Sequence, residues 1–80
     1  MRENAMRRIS ALFVSIVGMA PTRGEDTLPD DVRGWDSLAH IRLVHAIECE
    51  FDCELPDDLL LVGKPLGDLA AAVRDSATGA

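Results

Sequence analysis

Apolar residues recur along this chain at helical spacing, and they mark out four segments. In the first, Ala5, Met6, Ile9, Leu12, Phe13, Ile16 and Val17 fall in one arc at about 100° per residue. Glu3, Arg7, Arg8, Ser10 and Ser15 lie outside it, and Val14 is the one bulky exception. This predicts a helix over residues 3–18, stopped by Gly18 and Pro21. In the second segment Leu43, Val44, Ile47 and Phe51 share a face at spacings of three and four, which predicts a helix over 37–51. Leu38 and Ile41 point away from that face, toward the side of His45 and Glu48. They are either covered by a loop and the next helix or left for a partner. Partial cover is the expectation for Ile41, and the two readings are balanced for Leu38.

Pro56-Asp57-Asp58 followed by Leu59, Leu60 and Leu61 predicts a short helix over 57–62, with Gly63 as its stop. Leu66, Leu69, Ala70 and Val73 predict a last helix over 65–76, opened by Pro65. Ser76 to Ala80 reads as a fraying tail of small residues. Between the first two helices, residues 19–36 hold Pro21, Gly24, Pro29 and Gly34, so no continuous helix is expected there. A connection this long needs anchors. Leu28, Val32 and Trp35 are the candidates, with Trp35 read as packing rather than as a partner contact. The predicted fold class is therefore all-α, a small four-helix bundle of three main helices and one short one, forming a single domain over residues 1–80.

Size and charge narrow the function. Eighty residues bury only a thin core and leave little room for a preformed substrate cavity. That favours a module that presents something to partners over a self-sufficient enzyme. Eight basic and fourteen acidic residues give a net charge of −6. Nucleic acid and anionic membranes are poor partners for such a surface, and a basic protein surface is a good one. Arg2, Arg7 and Arg8 ahead of the apolar run Ile9–Ala20 have the outline of a signal peptide. The one-sided phase of that run and Pro21 directly after it favour a helix of the domain, and no run reaches membrane-spanning length. A cytoplasmic location is expected.

The candidate chemistry sits at Gly34-Trp35-Asp36-Ser37-Leu38, where the long loop becomes a helix. Asp36 is suited to accept from the first free amides and to face the positive end of the helix dipole. Ser37 then falls at the first helical position with its hydroxyl outward. Taken alone, the residues favour a plain helix start. A hydrolase nucleophile is a poor reading: His40 and His45 have no evident orienting acid, and no Gly-x-Ser-x-Gly turn is present. His45, Cys49 and Cys53 follow at steps of four, too far along a straight helix for all three to reach one ion, so no metal site is expected. Cys49 and Cys53 are also poorly aimed for a disulfide and read as free thiols. Glu48, Glu50, Asp52, Glu54, Asp57 and Asp58 crowd one region with no base among them. A solvated surface is the ordinary account of such a run. The helix dipole disfavours acids near a carboxyl end, which makes attraction to basic partners the second account.

Asp36-Ser37-Leu38, with Ile41, Leu43-Val44, Ala46-Ile47-Glu48 and Glu50-Phe51 behind it, resembles the second helix of acyl carrier proteins. The flanking segments fit in order and length, so the resemblance covers nearly the whole chain. It implies that Ser37 carries a 4′-phosphopantetheine arm, taken from coenzyme A by a phosphopantetheinyl transferase. It implies that the arm's thiol holds an acyl group as a thioester, that the protein has no catalytic residue of its own, and that it works as a monomer. Acyl-loading and acyl-processing enzymes with basic surfaces are the further partners, with Asp36, Leu38, Ile41 and Glu48 as the docking residues. Leu59, Leu60 and Leu61 would line the entrance if cargo entered the bundle. The chain departs from fatty-acid carriers early in the second helix, where Ala39, His40, Arg42 and His45 replace the usual acids. A discrete carrier of a specialised pathway fits better. The alternatives are a peptidyl or aminoacyl carrier, and an unmodified helical adaptor.

Overall fold

The computed structural model describes residues 2–61 and 63–79, with side chains over 5–61 and 63–75. Three α-helices order it: α1 (Arg2–Val17), α2 (Ser37–Phe51) and α3 (Leu66–Gly79). No β-strand occurs among the described residues. The core forms where the three apolar stripes meet. Ile9 and Phe13 come from α1, Leu43, Val44 and Ile47 from α2, and Leu66, Leu69, Ala70 and Val73 from α3. Met6, Leu12, Ile16 and Val17 close its edge, and Val14 is exposed as the phase requires. Gly18 ends α1 in the left-handed region, φ 93°, and its amide returns to the Val14 carbonyl.

Two expectations about helices need correction. Residues 57–62 do not make a fourth α-helix. Asp57–Leu60 is a single 3₁₀ turn, Leu61 is already extended, and residue 62 lies outside the described residues. The segment is too short to offset helix nucleation, and Pro65 stands close behind it. The last helix runs past residue 76 to Gly79, with Ala80 outside the described residues.

The long connection is not structureless either. It contains two 3₁₀ turns, Gly24–Asp26 and Pro29–Asp31. The Thr27 hydroxyl donates to the Gly24 carbonyl at 2.8 Å and accepts from the Arg23 amide at 2.8 Å. The Thr27 carbonyl accepts from the Leu66 amide at 2.9 Å, which ties the loop to the start of α3. Val32 and Trp35 are buried anchors, and Trp35 meets Phe13 edge to face with ring centroids 5.0 Å apart. Leu28 is not an anchor; it stays exposed, and Thr27 beside it is the residue that turns inward. In a 3₁₀ turn the backbone decides which side chain points in, and hydrophobicity yields to that geometry.

Candidate functional site

The site is built where the loop delivers the chain to α2. Asp36 is extended (φ −96°, ψ −174°), and its carboxylate accepts from the Ala39 amide at 2.9 Å. Its own carbonyl accepts from the His40 amide at 2.9 Å and begins the helix. Capping by a carboxylate at this end is favoured by both the free amides and the dipole. Ser37 is consequently the first residue of α2, and it is exposed. Among the described residues nothing hydrogen-bonds its hydroxyl. The oxygen is open to attack chemistry from solvent, on a rigid backbone. A phosphodiester there would meet the amide-rich, positive end of α2. The residues present therefore fit a covalently attached phosphate-bearing arm.

Apolar side chains surround that oxygen's helix turn and are not covered. Leu38 is 60% exposed and Ile41 51%, so the partial cover expected for Ile41 leaves half of it open. On the turn after α2, Leu59 is buried while Leu60 and Leu61 are 42% and 72% exposed. Only Leu59 of the three belongs to the core.

Beneath the surface lies a residue that the sequence pattern did not single out as structural. His40 is 2% exposed. Its Nδ1 accepts from the Trp35 indole N–H at 3.0 Å, and its Nε2 meets the Leu59 carbonyl at 2.6 Å. A carbonyl only accepts and an indole only donates, so the imidazole is neutral with its hydrogen on Nε2. A signal for this was available: residues 40, 43, 44, 47 and 51 lie on one stripe.

The acids from 48 to 58 are used internally more than charge counting suggests. Glu48 accepts from the Leu55 amide at 2.9 Å, so this expected docking residue also holds the chain after α2. Glu50 is paired with Arg8 of α1, whose guanidinium lies 4.6 Å from the Phe51 ring centroid. Asp58 is paired with Lys64 at 2.7 Å. Asp52 ends α2 in the left-handed region, φ 52°. Three members of the run, Glu48, Glu50 and Asp58, thus make contacts within the chain.

His45 and Cys49, both exposed, approach to 3.8 Å between Nε2 and Sγ, whereas Cys53 is half-buried against the core. Both thiols are free. Among the described residues no group of three or more His, Cys, Asp or Glu side chains is set to hold a metal ion. Among them, too, no helix is long and apolar enough to cross a membrane.

Comparison with known proteins gives the arrangement its meaning. Residues 7–73 match the family described as "Phosphopantetheine attachment site". The chain is 35% identical over 72 residues to the acyl carrier protein of Rhodopseudomonas palustris (strain TIE-1), covering 88% of this chain and 90% of that one. Identity and coverage are the same for the acyl carrier proteins of Afipia carboxidovorans and of Bradyrhizobium sp. (strain ORS 278). No solved structure matches the chain significantly. An all-helical fold, an exposed serine at a helix start and this span of matching sequence agree, and the chain belongs to the acyl carrier protein family, the carriers of 4′-phosphopantetheine.

Proposed function

We propose that Ser37 is the residue that bears the arm. The observation that carries this is the exposed hydroxyl at the first position of α2, behind the Asp36 cap. In the reaction a phosphopantetheinyl transferase joins the Ser37 oxygen to the phosphopantetheine phosphate of coenzyme A. The hydroxyl proton goes to a base of the transferase, and the adenosine bisphosphate half of coenzyme A leaves. When attached, the arm supplies a thiol that holds acyl groups as thioesters. This chain's contribution is to fix the tether point, so that cargo reaches partner active sites at high effective concentration.

Leu38 and Ile41 form the local docking surface, with Asp36 and Glu48 at its edges. Their exposure supports the role of the two apolar residues. Glu48 contributes the carboxylate oxygen not engaged by Leu55. Acyl-loading and acyl-processing enzymes with basic surfaces are the partners, met by a monomeric, cytoplasmic carrier. Arg42 and His45 on the exposed side of α2 favour a discrete carrier of a specialised pathway over a general fatty-acid one. The test is intact-protein mass after incubation with coenzyme A and a promiscuous transferase. One arm's mass is gained by the natural chain and none by Ser37→Ala. A mass gain that survives Ser37→Ala would sink the assignment, and no gain in either chain would favour an unmodified adaptor.

A further inference from the structure

His40 links three pieces of the molecule. It sits one turn after Ser37 on α2, it accepts from Trp35 two residues before Ser37, and it reaches the Leu59 carbonyl on the Asp57–Leu60 turn. That turn leads directly into the exposed Leu60 and Leu61. The imidazole therefore sets where the Leu60–Leu61 edge stands relative to the Ser37 hydroxyl.

We propose that His40 is a positioning residue for partner recognition at Ser37, and that only its neutral Nε2–H form performs this role. The inference rests on Ser37 being the arm's attachment point. Protonation would place an N–H on Nδ1, facing the indole N–H of Trp35. Two donors would then oppose each other in a buried space, and a charge would lie there unpaired. Among the described residues no charged side chain is within hydrogen-bonding reach of the ring to compensate. On α2, Asp36 is engaged by the Ala39 amide and Arg42 is exposed. On the turn and beyond it, Asp58 pairs with Lys64 and Asp57 is exposed. On the loop Arg33 is exposed, and on α1 Arg7 is exposed and Arg8 is held by Glu50. Acid thus uncouples the loop at Trp35 from α2, two residues before Ser37, while Nε2–H still holds the Leu59 carbonyl, and it loosens the lead into Ser37 that a transferase or acyl-handling enzyme meets.

The experiment measures arm transfer from coenzyme A to the apo chain by one transferase, across acid to neutral pH. Natural protein, His40→Gln, His40→Leu and Trp35→Phe are compared. Reporting each variant's KM as a ratio to the natural chain's at the same pH cancels the transferase's own titration. His40→Leu, which keeps bulk but makes neither bond, should raise KM for the carrier about tenfold with kcat within about twofold, the scale of one buried hydrogen bond. His40→Gln, which can both donate and accept, should restore most of that at neutral pH. It should also be flat in acid, where the natural chain's KM climbs. Trp35→Phe removes in advance the bond that acid breaks, so its KM should be raised at neutral pH and climb little further in acid. It also keeps the test alive if His40→Leu does not fold. Ring nitrogen shifts in NMR should show hydrogen on Nε2 at neutral pH. A folded His40→Leu chain with unchanged KM, parallel pH profiles for the natural chain and His40→Gln, or a hydrogen found on Nδ1 would each overturn the proposal. Continued modification of Ser37→Ala would instead overturn the attachment assignment on which it rests.

Discussion

Glu48 reaches past the end of its own helix to hold the amide of Leu55, with 2.9 Å between carboxylate oxygen and nitrogen. The bond closes the chain reversal after α2, where Asp52 is left-handed and the Cys53 amide returns to the Glu48 carbonyl at 3.1 Å. One residue therefore serves the reversal through both its side chain and its backbone. Glu48→Ala should destabilise the fold by about 1 kcal/mol, less than a fully buried charged bond because the group is half-buried. Glu48→Gln keeps the acceptor and should recover most of the loss. Urea unfolding of the three proteins checks this. Equal midpoints would show that the bond contributes nothing.

Gly34 lies against the end of α1. A Cβ added there would stand 2.7 Å from the Val17 carbonyl oxygen, closer than such atoms pack. The contact is with backbone, which cannot swing aside as a side chain can. Gly34→Ala should therefore push the loop off α1 and cost about 1–3 kcal/mol. Gly67 faces the same constraint from the Glu25 carbonyl at 2.8 Å. Thermal melts of Gly34→Ala and Gly67→Ala should both fall by several degrees. A melt of either at the natural temperature would mean that the backbone yields there without cost.

The helices were legible because packing and periodicity report the same thing. Leu43, Val44, Ile47 and Phe51 repeat at helical spacing because that face must leave water, and the core contains it. Ser37 and Asp36 were legible because a capping residue must stand where helix geometry begins. His40 stands on the same stripe as the core residues, yet its polarity hides it until Trp35 and the Leu59 carbonyl appear as partners. Thr27 gave no periodic signal, since a 3₁₀ turn and not a stripe buries it. The internal contacts of the acidic run were hidden for a related reason. Arg8 answers Glu50 from 42 residues away, and no local count of charge contains that distance.

Asp58 and Lys64 fasten the turn to the segment that leads into α3. The hydrogen bond and charge of Lys64 hold the Asp58 carboxyl below its ordinary value, and the hydrogen bond that Lys64 donates to Asp58 raises the ammonium above its own. The signs define a window. The acid's contribution is present above the ordinary carboxylate range and is lost as pH falls through the lowered value. The lysine's is present below the ordinary ammonium range and is lost as pH rises through the raised value. Lys64→Met should therefore narrow the stability difference from the natural chain at both extremes of pH and show it most at neutrality. Both groups are solvent-exposed, so the difference should be small and should shrink with salt. A stability difference that grows in acid would contradict the pairing.

Salt acts on the whole molecule in two opposing ways. It weakens the exposed pairs Arg8–Glu50, Lys64–Asp58 and Arg74–Glu25, and it screens the self-repulsion of a chain with net charge −6. Exposed pairs contribute little, while six uncompensated charges act on one another throughout a small domain. Repulsion should win, and the melting temperature should rise by a few degrees between low and physiological salt. Glu54 tests the mechanism, since it is an exposed member of the acidic run that makes no ion pair among the described residues. Glu54→Lys should raise the melting temperature at low salt and flatten its dependence on salt, because part of the repulsion is already gone. A natural chain whose melting temperature falls with added salt would show instead that the three pairs outweigh the net charge.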